Sequence, residues 1–346
     1  MPMNILVSGA GGSAGVNFCN ALSAIGKYNV FGTDYFRFHH VFPKAVMHSS
    51  PKHSNPDFIE TLNKIIVKEK INFLHCAPTV EALQVGLWSV KCKTYLPDVR
   101  VMELAFDKHR ATLQLNSHGV ATPKLYPYED QNFKFPIWVR ARQGAGGAKS
   151  IKCFNNKDIE AWLHIWEHRG AYRGDFVFQE YVEGKDVAWD SLWLNGKLIT
   201  SFARERIEYP SRTLGKGGSP TVARILHDSF VNMVGVGSVT ALDNKPNGFY
   251  CVDMIQNAES VYVTEVNAGK AHTTLPLWGL AMQRKFDSNL LNLAYVYTEL
   301  GLGNFDIAED STKFNLYPEN YCLVRDVDCG SWLVHTDDKS KMRVDV

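Results

Sequence analysis

The chain has 346 residues, enough for two or three domains and a substantial buried core. Hydrophobic residues make up 45% and charged residues 21%, which excludes a disordered chain. A net charge of +1 gives nucleic acid or an anionic membrane surface no electrostatic hold. Seven scattered cysteines, without CxxC or metal-ligand spacing, predict free thiols. With no leader before the first apolar run and no stretch of eighteen apolar residues, the expected setting is cytoplasmic.

The first segment, "MNILVSGAGGSAGVNFCNALSAIG", reads as a strand, a glycine-rich turn and a helix with apolar Val16, Cys19, Leu22 and Ile25. A strand "YNVFGTD" ending in Asp34, a helix "PDFIETLNKIIVKEK" and a strand "INFLHCAP" follow. This alternation predicts a parallel sheet covered by helices. Gly9, Gly11 and Ala14 fit the dinucleotide fingerprint, with Asp34 near the place of a ribose-binding acid. An NAD(P)-dependent oxidoreductase is therefore one reading. A tight turn that needs glycine whatever it binds is the other, and these residues alone favour neither.

Further along, "DKHRATLQLNSHG" predicts a helix closed by Gly119. In "PIWVRARQGAGGAKSIKC", Ile137, Val139 and Ala141 form one face of a strand and Trp138, Arg140 and Arg142 the other. The loop 144–149 lies between two strands, unlike a P-loop, which opens a helix. Such a hairpin can cover a polyphosphate with backbone N–H groups, with Arg140 supplying charge, or it can be a mobile surface hairpin. After an aromatic-rich helix, "FVFQEYV" reads as an apolar strand running into Glu183-Gly184 and Asp186. "VAWDSLWL" and "KLITSFARE" form a hairpin at Asn195-Gly196.

The strand "VYVTEVNAGK" carries Glu265 and Asn267 at the period set by Val261 and Val263, so all four are expected on one face. If its turn with "FYCVDMI" is centred on Glu259, Asp253 lies directly opposite Glu265. Two carboxylates facing each other repel and resist desolvation, and a divalent cation removes both difficulties. Asp253, Glu265 and Asn267 form an all-oxygen set suited to Mg²⁺ or Mn²⁺ held with substrate phosphates.

In order and spacing, "DKHRATL", "PIWVRARQGAGGAKSI", "FVFQEYVEGKD" and "DMIQNAESVYVTEVNAG" resemble an ATP-grasp enzyme, nearest the carbamoyl-phosphate-synthetase-like group. The resemblance implies an α/β protein of four parts. They are a Rossmann-like domain (1–104) that need not bind NAD, a small lobe (105–178), a large lobe (179–300) and a C-terminal segment (301–346) on the core or a partner subunit. It implies Lys108 or Arg110 as a first ATP-phosphate contact and Arg140 as a second. Gly144, Gly146 and Gly147 become the phosphate-covering loop, Glu180, Tyr181 and Val182 the adenine hinge, and Asp186 the ribose ligand. Asp253, Glu265 and Asn267 become ligands of two Mg²⁺ or Mn²⁺ ions, with Glu265 bridging.

One departure matters. Many members carry arginine two residues after the metal-binding Asn, where this chain has Gly269 followed by Lys270. The basic role then passes to Lys270, Arg204 or Arg206, with Arg204, Arg206, Thr221 and Lys270 as substrate contacts. The expected activity is ATP-dependent ligation of a small-molecule carboxylate to an amine or other nucleophile through an acyl phosphate. No nucleic-acid or membrane partner is expected, and a homodimer is possible. The alternatives are the oxidoreductase and a nucleotide-binding regulatory module without catalysis.

Overall fold

The structure, a computed structural model, describes residues 2–129, 132–144, 147, 149–210, 219–304, 313–326 and 329–344. Its first unit is a five-stranded parallel sheet in the order β3-β2-β1-β4-β5. The strands are β1 (Met3–Ser8), β2 (Tyr28–Asp34), β3 (Val46–Ser49), β4 (Phe73–Cys76) and β5 (Lys93–Thr94). Ile5, Leu6 and Val7 are sealed on both faces, as an inner parallel strand requires. Helix α1 (Ser13–Ser23) packs Phe18, Cys19 and Leu22 with Ile5 and Val7. Helix α2 (Phe58–Lys68) packs Phe58, Leu62 and Ile66 with Leu6 and Leu74 on the opposite face. Val16 and Ile25, expected on the buried stripe of α1, are only half-buried, and Phe18 takes that place. Helices α3 (Thr79–Leu87), α4 (Val99–Phe106) and α5 (Lys108–Ser117) complete the approach to the next unit.

The second unit is a four-stranded antiparallel sheet in the order β6-β9-β7-β8, from β6 (Leu125–Tyr126), β7 (Ile137–Ala141), β8 (Ile151–Cys153) and β9 (Phe176–Glu180). Helix α6 (Asn156–Glu167) covers one face with Ile159, Trp162 and Leu163. The expected break between residues 178 and 179 falls inside β9, because β9 completes this small sheet by pairing with β6 and β7.

The third unit is an eight-stranded antiparallel sheet in the order β14-β13-β10-β11-β12-β15-β16-β17. Its strands are β10 (Lys185–Leu194), β11 (Lys197–Glu208), β12 (Val222–Leu226), β13 (Gly248–Gln256), β14 (Val261–Ala268), β15 (Tyr321–Asp326), β16 (Gly330–His335) and β17 (Lys341–Arg343). Helix α7 (Ser229–Leu242) packs on one face through Val231 and Val239. Helices α8 (Leu275–Phe286) and α9 (Leu293–Leu302) join the other face, through Trp278 and Tyr297, to α1 of the first unit. The three C-terminal strands extend this sheet from β12, which places that segment on the core. Among the described residues, no helix is long and apolar enough to cross a membrane.

Candidate functional site

Asp253 and Glu265 are cross-strand partners, the register expected from a turn centred on Glu259. The face assignment of β14 differs from expectation. The ladder shifts between Asp253 and Met254, so that Met254 pairs with Val263 and Thr264 is left as the extra residue of a bulge. The bulge reverses the alternation. Val261, Val263, Val266 and Ala268 all point into the core at 1% exposure, and Glu265 and Asn267 turn to the other side. The strand therefore has a continuous apolar face after all, and the polar pair stands opposite it. Thr264 locks the irregularity by donating its hydroxyl to the Asp253 carbonyl at 3.0 Å, and its own carbonyl accepts from the Arg140 guanidinium.

Asp253, Glu265 and Asn267 line a cavity of about 1640 Å³ that lies between the three units. The mutual repulsion expected of the facing carboxylates is relieved by protein cations. Lys108 Nζ lies 3.3 Å from Glu265 Oε1, and Arg140 lies 3.9 Å from Oε2. Arg206 lies 3.1 Å from Asp253 Oδ1. Burial, with the repulsion of Glu265, still holds the Asp253 carboxyl above its ordinary range against the pull of Arg206. Burial lowers Arg140. Burial also works against the charge on Arg206, but Asp186 and Asp253 outweigh it and push that guanidinium well up.

The residue fit to a divalent cation is good. Two carboxylates and an amide oxygen on neighbouring strands face one polar cavity, and the donor set is all oxygen. The chain can satisfy both carboxylates without the ion as well, so their proximity alone does not demand a metal.

Lys108 follows the helix cap Asp107 and reaches both Glu265 and the Gly144 carbonyl, the latter at 2.7 Å. Arg110, the alternative contact, is exposed and does not line the cavity. Gly144 and Gly147 line it, with φ of 105° and 68° that a residue bearing Cβ rarely adopts; Gly146 lies outside the described residues. Glu180, Tyr181 and Val182 line the cavity, with Trp138 and Lys152 against the Tyr181 ring. Asp186 also lines the cavity. Its Oδ1 accepts twice from Arg206, from Nε at 2.9 Å and Nη2 at 2.5 Å, and its Oδ2 accepts from the Tyr209 hydroxyl, which leaves a lone pair on Oδ2 alone for a further donor.

The expected substrate contacts divide. Arg206 and Lys270 line the cavity. Arg204 does not: it is fully buried beneath the site, paired with Asp190 and set against the Phe202 ring, and burial lowers it to about 10. Thr221 is also off the cavity. It is held in the strand network, its N–H donating to Glu208 O and its carbonyl accepting from Arg325 N–H. Alternation puts Arg204 on the same face of β11 as Arg206, so the difference between them comes from packing further along that face, where the Phe202 ring and Asp190 enclose Arg204. Residues 211–218, between Arg206 and Thr221, lie outside the described residues.

His272 was missed in the sequence. It lines the cavity and is held well below the usual imidazole range by burial and by Arg204, Arg206, Lys270 and Arg325. Its signal lay only in being two residues from Lys270.

The N-terminal glycine turn lines the same cavity through Gly9, Gly12, Ser13, Ala14 and Gly15. Its geometry disfavours a dinucleotide. Asp34 Oδ2 accepts the Gly11 N–H at 3.0 Å and Oδ1 the Phe36 N–H at 2.9 Å, so the candidate ribose ligand closes onto its own turn. A Cβ at Gly11 would meet His39 at 2.5 Å and Asp34 at 2.8 Å, so the space beside this glycine is filled by protein.

Residues 105–270 match the family model described as ATP-grasp domain. The fold is shared with L-amino acid ligase from Bacillus licheniformis (TM-score 0.66, 12% identity, covering 93% of this chain and 78% of that one). It is shared with the biotin carboxylase domain of Hydrogenobacter thermophilus 2-oxoglutarate carboxylase, solved with MgADP, ADP and bicarbonate (0.67, 15%, 94% and 74%). A third neighbour is N5-carboxyaminoimidazole ribonucleotide synthetase from Thermotoga maritima (0.60, 16%, 94% and 80%). A search of curated proteins returned no match.

Proposed function

Taking as premise that this chain carries an ATP-grasp domain and belongs to that superfamily, we propose that it is an ATP-dependent ligase joining a small-molecule carboxylate to an amine. The observation that carries the reading is one cavity shared by the Asp253–Glu265 pair, three cations on those acids, and the Glu180–Val182 segment. The printed names of the Bacillus ligase and the Thermotoga synthetase support ligation as the reaction class.

In the first step a carboxylate oxygen attacks the γ-phosphorus of ATP, the bond to the β-bridging oxygen breaks and ADP leaves. In the second the amine nitrogen attacks the acyl carbon of the acyl phosphate, the C–O bond to phosphate breaks, and phosphate leaves as the nitrogen loses a proton. Lys108 and Arg140 turn from Glu265 towards the γ-phosphoryl oxygens and offset their charge. Arg206 and Lys270 hold the substrate carboxylate, the former by its planar fork. The loop from Gly144 shields the acyl phosphate from water. Asp253, Glu265 and Asn267 would hold Mg²⁺ or Mn²⁺, whose chemistry is charge neutralisation of the phosphates.

The test is release of ADP from ATP with pooled carboxylates and amines. ADP that appears only when both pools are present is the expected result. No release from any pool, or release dependent on one pool alone, overturns the ligation reading.

A further inference from the structure

Where the first and third units meet, the cavity wall is built from two segments. One is the start of α1, through Gly12, Ser13, Ala14 and Gly15; the other is Lys270, His272 and Thr273, just beyond β14. Asn17 ties them together by donating its amide N–H to the Thr273 carbonyl at 2.8 Å, which occupies that acceptor. The first turn of α1 brings no acidic residue to this wall. His272 Nδ1 accepts the Thr274 N–H at 3.4 Å, and burial with the surrounding cations keeps the ring neutral. Its hydrogen is thereby assigned to Nε2, and the imidazole is a donor.

Four cations act on that ring: Arg204, Arg206, Lys270 and Arg325. Two are balanced within the protein, Arg204 by Asp190 and Arg206 by Asp186 and Asp253. The other two form no ion pair with any described residue. Lys270 is half-buried on the wall, and Arg325 stands behind it, its guanidinium donating to the Pro220 carbonyl at 3.1 and 2.9 Å. Uncompensated like charges in a partly desolvated wall repel, and a bound anion removes that cost. The single carboxylate placed between Arg206 and Lys270 by the chemistry above brings one negative charge against these two.

Resting on the ligation reading, we propose that the substrate acid carries a second anionic group, a carboxylate or a phosphate, held against Lys270 and His272. The ammonium has three donors, enough to serve both anions, and His272 Nε2–H supplies a further one. A substrate with an apolar group here would leave the excess charge in place. One with an ammonium group would add to it.

Two measurements test the proposal. The first needs no substrate: melting of the unliganded wild type and of Lys270→Met at low and high salt. Lys270 has no described partner for its loss to orphan, so the variant should melt about 2–4 °C above the wild type at low salt. The gap should narrow as salt shortens the screening length from about 30 Å at 0.01 M to about 3 Å at 1 M. A variant that melts no higher than the wild type at low salt overturns the proposal. The second is ADP release from ATP and Mg²⁺ with one amine pool and three acid pools: monocarboxylates, dicarboxylates and phosphorylated monocarboxylates. Release is expected from the dicarboxylate or the phosphorylated pool, and the active pool identifies the second group. With that pool, Lys270→Met should lower kcat/KM about 30-fold or more, the effect of truncating one partner of a buried charge pair. Equal release from the monocarboxylate pool overturns the proposal and leaves ligation standing. No release from any pool brings down the ligation reading and this substrate with it.

Discussion

Asp34 and Asp253 are both strand aspartates in sequence settings that suggest a ligand, and the structure satisfies them in different ways. Asp34 takes two backbone N–H groups, one from Gly11 in the glycine turn and one from Phe36 just past the end of its own strand. Those donors cannot leave without undoing the backbone at both places. Asp253 faces a second carboxylate, Glu265, and is balanced by the side chain of Arg206 at 3.1 Å. A guanidinium on a rotatable stem can exchange partners when a ligand brings charge of its own. A carboxylate held by fixed neutral dipoles therefore reads as architecture, and one held by a movable cation reads as a site in its resting state.

The largest effect is expected on the movable side. Glu265→Gln keeps the shape of the side chain and removes the charge that Lys108 and Arg140 balance. ADP release should fall about a hundred- to a thousandfold, the range for removing one aligned electrostatic partner. Circular dichroism should remain native. Near wild-type turnover from the folded variant would remove Glu265 from the chemistry.

Next comes binding. At a hundred times its Kd, a ligand that recognises only the native state stabilises it by about 2.7 kcal/mol. ATP with Mg²⁺ should thus raise the melting temperature of the wild type, and Asp253→Asn should lose most of that shift. An undiminished shift would show that Asp253 does not contribute to holding the phosphates.

These two residues show what could be read from the sequence and what could not. The pairing of Asp253 with Glu265 was legible because hairpin register follows from the position of the turn. The face they occupy was not. One extra residue, Thr264, reverses every side chain beyond it, and nothing local in "VYVTEVNAG" marks a bulge. The strand–helix order of the first sheet was legible from β1, α1, β2, α2 and β4. The short β3 and the two-residue β5 carry too little periodicity to register. Arg204 and Arg206 look equivalent in sequence because both are charged and on one face of a strand, two residues apart. Only tertiary packing seals the first beneath Tyr317 and Phe202 and leaves the second at the cavity.

On the fixed side, the turn rests on a second carboxylate. Glu81 is 8% exposed, lies beside Gly9, and is pushed up to about 7 by burial, with Asp34 adding to the shift. Between the usual glutamate range and about pH 7, the unfolded chain has lost a proton that the fold retains. Stability therefore falls as pH rises through that window and levels off above it, by about 3 kcal/mol in all. Glu81→Gln should abolish that decline. Its melting temperature should exceed that of the wild type at pH 8 and approach it at pH 5. Parallel pH profiles for the two proteins would show that Glu81 is not a proton-retaining group.

The smallest effect belongs to Asp34 itself. Asp34→Asn retains one acceptor oxygen for two backbone donors and turns an NH₂ group towards the other, so the turn loses one hydrogen bond. A loss of about 1 kcal/mol in stability is expected. The ATP-dependent rise in melting temperature should be the same as in the wild type, because Asp34 spends both oxygens on backbone N–H groups and does not line the cavity. NAD and NADP should shift neither protein. These measurements separate the two aspartates directly. An NAD(P) shift that vanishes in Asp34→Asn and persists in Asp253→Asn would reverse their roles. The N-terminal glycines would then belong to an oxidoreductase. The filled space beside Gly11 argues for the opposite result, because a pyrophosphate cannot approach a backbone already covered by His39 and Asp34.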